Sequence, residues 1–150
     1  MAKKGKPARR KGSVPEHPTC NCALLCDDVL ESKGRGKHNL IGIIGAILTP
    51  QFPAVLGGYV AYVRLSNVYG RQKVTIGLDD TASDEKVFEG GIDLPDIKDP
   101  LGGYTLVPPI PGFRIERPGR YMFSVKSGGI PLAESAILIQ GPPEVKGEKP

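Results

Sequence analysis

Apolar and polar residues alternate in short runs along most of the chain. In the clearest run, which follows a Pro-Gly turn, Tyr121, Phe123 and Val125 fall on one face, because successive side chains of a strand point to opposite faces. A second turn leads into an apolar run from Leu132 to Ile139. This period of two predicts β-strands over the end of the chain.

The rest of the body repeats this organisation between glycine- and proline-rich turns. The further predicted strands are, in chain order, Thr19–Leu30, Asn39–Leu48, Gly58–Ser66, Gln72–Leu78, Val87–Leu94 and the short pair Tyr104–Val107 and Phe113–Glu116. About eight such strands form sheets with one apolar face each. These faces are removed from water when two sheets pack against each other. We therefore predict an all-β fold, a single antiparallel β-sandwich of immunoglobulin-like or jelly-roll-like order.

Three more specific expectations concern individual segments. Gly58–Ser66 and Gln72–Leu78 flank a short turn and are predicted to pair as a hairpin. Asn39–Leu48 is almost entirely apolar and is predicted to be one buried strand. Between Thr19–Leu30 and that strand, Gly34 and Gly36 predict a chain reversal with positive backbone dihedral angles.

Composition supports strands and sets the expected boundaries of the domain. The 20 glycines and 15 prolines disfavour long helices. Residues 1–18 and 141–150 are poor in apolar side chains, so both are predicted to be disordered tails. The β-sandwich domain is predicted over residues 19–140.

Positive charge is concentrated at the start of the chain. Six of the 20 basic residues precede Gly12, which leaves 14 basic against 16 acidic residues afterwards. The first tail is therefore a candidate weak contact for RNA, DNA or an anionic surface. Its candidate contact residues are Lys3, Lys4, Lys6, Arg9, Arg10 and Lys11.

Three closely spaced cysteines form the first candidate site, which could bind a metal ion. Cys20, Cys22 and Cys26 alternate onto one face of the predicted first strand, and with His17 they present four donors to a metal. The Cys-x-Cys spacing on an extended strand is long for tetrahedral coordination, so we favour cysteines that act as small core residues. An odd, clustered set also favours a reducing, cytoplasmic location.

Other signals of catalysis or cofactor binding are weak. Acidic pairs at Asp27-Asp28, Asp79-Asp80 and Asp84-Glu85 offer oxygen ligands for calcium but lack the spacing of a calcium loop. No nucleophile elbow or zinc-protease motif is present. We expect no enzyme activity, no cofactor and no membrane span, since the longest apolar run is about half of the ~20 residues that cross a bilayer.

The tyrosines divide into core and surface candidates. Tyr121 follows a Pro-Gly corner and is predicted to be a structural tyrosine that hydrogen-bonds to the backbone. Tyr59 and Tyr62 fall on opposite faces of one strand, so one of them is predicted to be in the core. Tyr69 and Tyr104 are predicted to be exposed in turns, where they are candidate contacts for a partner.

Three segments resemble a family of bacterial proteins. They are Leu25-Cys26-Asp27-Asp28, Asn39-Leu40-Ile41-Gly42-Ile43, and Pro118-Gly119-Arg120-Tyr121-Met122-Phe123 with Leu132-Ala133-Glu134. The chain is similar over most of residues 20 to 140 to uncharacterised small domains of this family, and the resemblance implies a compact β-sandwich. It implies no activity, cofactor or catalytic residue.

Together these features favour a non-enzymatic binding or assembly module. The sandwich would present a loop end or a sheet edge to a protein partner, and the basic tail would add weak tethering. One alternative is a nucleic-acid-associated protein that binds through the tail. A second alternative is a small metal-binding protein that uses the cysteines.

Overall fold

The computed structural model describes residues 17–34 and 36–143. The described residues form eleven strands and no helix. The strands are β1 (Thr19–Glu31), β2 (His38–Ile43), β3 (Ala46–Leu48), β4 (Ala54–Leu56), β5 (Val60–Ser66), β6 (Lys73–Asp80), β7 (Lys86–Asp93), β8 (Tyr104–Leu106), β9 (Phe113–Ile115), β10 (Gly119–Ser127) and β11 (Ile130–Gln140). The prediction of an all-β fold is confirmed, although eleven strands form where about eight were expected.

The strands are arranged in two main sheets and one short pair. The first sheet has the order β2-β1-β5-β8, and the second has the order β3-β11-β10-β6-β7. β4 and β9 form a separate antiparallel pair. All pairings are antiparallel except that of β3 with β11, which is parallel.

One hydrophobic core joins the two sheets. Alternate residues of β5 in the first sheet and of β6 and β10 in the second are buried in the same cluster. Tyr121, Phe123 and Val125, which were predicted to share one face of a strand, are among its members. Since a sheet on each side covers this core, the molecule has the layered arrangement of a β-sandwich.

The predicted β5–β6 hairpin is wrong. β5 pairs with β1 and β8 in the first sheet, whereas β6 pairs with β7 and β10 in the second. Asn67 has a φ of 58° in the connection between them. The turn residues therefore connect a strand of the first sheet to a strand of the second. A short turn between two segments of alternating apolar and polar residues is compatible with either a hairpin or such a crossing, so the sequence pattern does not distinguish them.

The predicted buried strand over Asn39–Leu48 is also wrong. The segment is divided between β2 in the first sheet and β3 in the second. Gly42 has a φ of 67°, and Gly45 lies between the two strands. Ile43 and Leu48 are exposed, because β2 and β3 are both edge strands of their sheets.

The reversal between β1 and β2 forms as predicted. Gly34 and Gly36 have φ values of 56° and 66°, and the two strands pair antiparallel from Cys26 with Ile43 to Glu31 with His38. Positive φ is accessible to glycine because it has no side chain beyond Cα.

The outer half of this hairpin curls over the first sheet. The rings of His38 and Tyr62 lie 5.3 Å apart, although they pair with positions of β1 that are seven residues apart. A straight strand would separate those positions by about 23 Å. Tyr62 lies between buried Ala61 and Val63, so the hairpin curls over the face that points away from the core.

The edges β7 and β8 are the elements that position the candidate site. β8 is the last strand of the first sheet, and β7 is the last strand of the second. After β8, the chain continues along β5, where Pro109 bridges to Val60. This proline-rich continuation and β7 face each other at the open side of the sandwich.

Candidate functional site

An apolar groove of about 190 Å³ lies between β7 and the segment that follows β8. It is lined by Ile76, Phe88, Glu89, Gly90, Gly91, Ile92, Pro108, Pro109, Ile110 and Pro111. Ligand pockets for drug-sized molecules are usually about 300–1,000 Å³. The groove is therefore of a size for one or two side chains of a larger partner.

The groove exists because Gly90 occupies a position that points into the sandwich. Gly90 pairs with the buried Ile76 on β6, and a Cβ atom built on Gly90 meets nothing within 4 Å. Its neighbours on the same face of the strand are Phe88 and Ile92, both of which pack against the core. The missing side chain leaves an apolar recess between these two residues.

Prolines form the opposite wall of the groove. The segment is held to the first sheet because the Ala61 N–H donates to the Pro108 carbonyl and the Ile110 N–H donates to the Tyr59 carbonyl, each at 2.9 Å. Pro108, Pro109 and Pro111 have no N–H to donate. This wall presents apolar rings and is a poor template for a further strand.

β7, in contrast, presents an open strand edge. The Leu94 N–H donates to the Gln72 carbonyl at 2.8 Å. Because backbone groups alternate in direction along a strand, this bond determines which residues of β7 point their N–H and C=O groups toward β6. In antiparallel pairing, residues 90 and 92 then face β6, and the N–H and C=O groups of Glu89 and Gly91 point away from it. Within the described part of the chain, β7 is paired on one side alone.

The groove is lined mainly by apolar groups and contains few that could take part in bond-breaking chemistry. Glu89 is the sole ionisable residue among those that line it. Nucleophilic and general acid–base catalysis need a second positioned group within hydrogen-bond reach. The arrangement of apolar walls beside backbone donors and acceptors resembles the one with which sheet edges of other proteins accept an extended peptide.

The structure separates the three cysteines. β1 has a register irregularity between Cys20 and Cys22, so Cys20 packs against the core. Cys22 and Cys26 pair instead with Arg64 and Val60, on the outward face. The expectation that all three share one face is wrong, because a β-bulge reverses the alternation of side chains.

No group of three or more His, Cys, Asp or Glu side chains in the described ranges is placed to hold a metal ion. All three cysteines are free, and Cys26 is fully buried. Burial raises the pKa of the Cys26 and Cys20 thiols. The His17 ring lies beside Gly128 in the turn between β10 and β11.

The acidic pair at Asp79-Asp80 is part of a structural corner. The Asp80 carboxylate accepts a hydrogen bond from the Ala82 N–H at 2.9 Å and pairs with the Arg117 guanidinium at 2.8 Å. The cleft of about 220 Å³ around it also contains Arg114 and Glu116, which pair with each other at 2.6 Å. Asp80, Arg114, Glu116 and Arg117 of this cleft therefore form ion pairs with each other.

The tyrosines follow the predictions with one exception. Tyr121 is buried and donates to the Arg117 carbonyl at 2.6 Å, which confirms its structural role. Tyr59 packs against the core, whereas Tyr62 lies on the outward face. Tyr69 is exposed as predicted. Tyr104 is instead a half-buried strand residue that packs against the core.

The sequence interpretation missed the groove and located candidate contacts elsewhere. The six basic residues predicted to contact anionic partners, Lys3, Lys4, Lys6, Arg9, Arg10 and Lys11, lie outside the described residues. The predicted tails fall mostly outside them as well. Two signals pointed to the groove, namely consecutive glycines inside an apolar strand and the prolines on both sides of Ile110.

Comparison with known proteins identifies a family but no activity. The described residues contain no helix long and apolar enough to cross a membrane. No curated protein matches the chain. The sequence model of DUF6941, a family of unknown function, matches residues 21–140. This match spans most of the chain and includes nearly all of the strand-forming region, so the protein belongs to the DUF6941 family.

Proposed function

We propose that this protein is a non-enzymatic binding module that receives an extended segment of a protein partner along the β7 edge. The observation that carries the proposal is the recess at Gly90, which lies directly beside the free backbone groups of Glu89 and Gly91. An added strand forms main-chain hydrogen bonds, and a side-chain pocket supplies selectivity.

The geometry supports a specific mode of binding. A partner strand next to β7 would hydrogen-bond to the N–H and C=O groups of Glu89 and Gly91. One of its apolar side chains would then enter the recess bounded by Ile76, Phe88 and Ile110. Burial of an apolar side chain contributes about 1.5–3 kcal/mol, so this contact would dominate selectivity.

Selection of peptides from a random library on the full-length protein tests this mode. We expect selected peptides to contain apolar residues at alternate positions, and we expect Gly90→Val to abolish their binding by filling the recess. Gly45→Val is the matched control, because its Cβ also meets nothing within 4 Å and it lies away from the groove. Loss of binding in both variants, or in neither, contradicts the proposed site.

The basic tail and the cellular location belong to the same proposal. The six cations before Gly12 would add salt-sensitive tethering to an anionic partner. A nucleic-acid-associated role that depends on this tail remains the alternative. A cytoplasmic location is supported by three free cysteines in a short segment, a pattern typical of reducing compartments.

A further inference from the structure

The β7 edge has the features of a self-pairing strand. From Phe88 to Ile92 it contains no proline, and its inward positions are Phe88, Gly90 and Ile92, none of which is charged. Charged inward residues, prolines and bulges are the usual devices that prevent edge-to-edge pairing. The register irregularity of the β6–β7 pair adds Val87 to β7, beside Phe88, so the regular part of the β7 edge begins at Phe88.

The other sheet edges are less suited to pairing. β8 and β3 have three residues each, and prolines follow both of them. β2 is interrupted by Gly42 at a φ of 67°. Among the outermost strands of the two main sheets in the described part of the chain, β7 is therefore the longest.

A twofold axis through the β7 edge permits few registers. Residues directly opposite each other in an antiparallel pair point to the same face, so a symmetric pair must be centred on a residue. Centring on Glu89 places two carboxylates opposite each other. Centring on Gly91 places Glu89 opposite Asp93 twice. Like charges directly opposite are destabilising.

Centring on Gly90 gives a self-complementary interface. Phe88 then lies opposite Ile92 on the inward face, and Glu89 lies opposite Gly91 on the outward face. The Glu89 and Gly91 backbone groups that point away from β6 become hydrogen-bonding partners. Gly90 of each copy lies opposite Gly90 of the other, so the side chains that would enter the recesses come from the diagonal positions, Phe88 and Ile92 of the second copy.

Charge complementarity supports the same register. A Cβ built on Gly91 would lie 2.7 Å from the Lys73 Cε atom, so the lysine side chain extends over Gly91. The Glu89 side chain of the second copy would arrive at this position. Within one copy the Glu89 carboxylate already lies 3.5 Å from the Lys86 ammonium group. Each Glu89 of the dimer would therefore lie between Lys86 of its own copy and Lys73 of the other copy.

We propose that the partner at the β7 edge is a second copy of this chain, paired antiparallel about Gly90 so that the two second sheets form one continuous sheet. This inference rests on the proposed binding role of the β7 edge and specifies its occupant.

Sedimentation of the full chain over a range of concentrations tests the dimer. We expect a reversible dimer, with Glu89→Lys weakening self-association about tenfold or more by placing two like charges together. Adding Lys73→Glu to that variant should restore the dimer. Glu134→Lys is the matched control, since it makes the same charge change at an exposed position on β11. A monomer at about 0.1 mM overturns the proposal.

Cross-linking tests the register independently. Residues facing each other at a non-hydrogen-bonded pair have Cα atoms about 4.5 Å apart, within the range of a disulfide. Mild oxidation should convert Gly90→Cys to a covalent dimer, whereas Gly91→Cys and the wild type should remain largely uncross-linked. Equal cross-linking of the two variants contradicts the register.

The outcomes separate this inference from the binding role itself. A monomer that binds selected peptides in a Gly90-dependent manner retains the binding role and overturns self-association. A dimer that survives Glu89→Lys overturns the β7 interface. A monomer that selects no peptide overturns both proposals.

Discussion

The hydroxyl group of Tyr121 donates a hydrogen bond to the backbone carbonyl of Arg117, at a distance of 2.6 Å. Tyr121 is buried near the start of β10, and the Arg117 guanidinium pairs with the Asp80 carboxylate at the end of β6. The turn into β10 is thereby attached to the core and to the adjacent strand. This tyrosine corner resembles the one common in immunoglobulin-like sandwiches.

Tyr121→Phe should destabilise the protein by about 1–2 kcal/mol, because it removes this hydrogen bond while keeping the buried ring. Urea unfolding followed by circular dichroism measures the change. Tyr69→Phe is the control, since Tyr69 is exposed, and it should leave the unfolding midpoint unchanged. An equal midpoint for Tyr121→Phe and wild type would show that the corner contributes nothing to stability.

The protein should lose stability at alkaline pH. Burial raises the pKa of Tyr121 and of Tyr59 above the ordinary value of 10.0, and nearby Asp80 adds to the effect at Tyr121. A raised pKa means that the folded state favours the protonated hydroxyl. This contribution is complete below pH 10 and is lost as pH rises through the folded pKa.

Unfolding free energies between pH 8 and about 11 measure this loss. Tyr121→Phe should show a smaller decline than the wild type over the same range, because one of the two hydroxyls with a raised pKa is no longer present to ionise. A decline of equal size would assign the alkaline loss to other groups.

The alternation of side chains was sufficient to predict strands, but the pairing of strands depended on information that alternation lacks. Tyr121, Phe123 and Val125 were assigned to one face of a strand because a period of two is a local property. Whether β5 and β6 pair or cross between sheets depends on which partners compete for their edges. The backbone groups of β5 pair with β1, and those of β6 pair with β10, so the predicted hairpin did not form.

Local exceptions to alternation account for the remaining differences. The bulge at Cys20 and Cys22 reverses the faces of β1, and it leaves no composition signal. Similarly, the recess at Gly90 requires that Gly90 point inward opposite Ile76, which depends on the register with β6. The glycines were visible in the sequence, but their direction was a consequence of tertiary pairing.

Cysteine reactivity should follow the structure, with Cys22 alkylated first and Cys26 last. Cys26 is fully buried, and burial raises the pKa of its thiol, so the reactive thiolate is disfavoured. Timed alkylation of the native protein, followed by peptide mass spectrometry, measures the order. The same experiment in denaturant is the control and should abolish it. Equal native rates at Cys22 and Cys26 would contradict the burial of Cys26.

Gly42→Ala should be more destabilising than Gly34→Ala. Both glycines have positive φ, so each substitution costs about 1–2 kcal/mol from the left-handed backbone. At Gly42 the new methyl group would also overlap the Asp27 side chain, whereas at Gly34 it meets nothing within 4 Å. Urea unfolding of the two variants isolates the steric part, and identical losses would show that Asp27 moves aside freely.

Deletion of residues 2–12 should remove any binding to nucleic acid, because six of the chain's cations lie there and the residues that follow have a net negative formal charge. Attraction between lysine or arginine side chains and phosphates falls steeply with salt, since binding releases counterions. Fluorescence anisotropy of short labelled RNA and DNA, at low and near-physiological salt, compares the full-length and deleted proteins. We expect binding by the full chain at low salt alone and none after the deletion. Binding that survives both the deletion and near-physiological salt would place a nucleic-acid site on the folded body. This result would favour the nucleic-acid-associated role over a binding module whose main contact is the β7 edge.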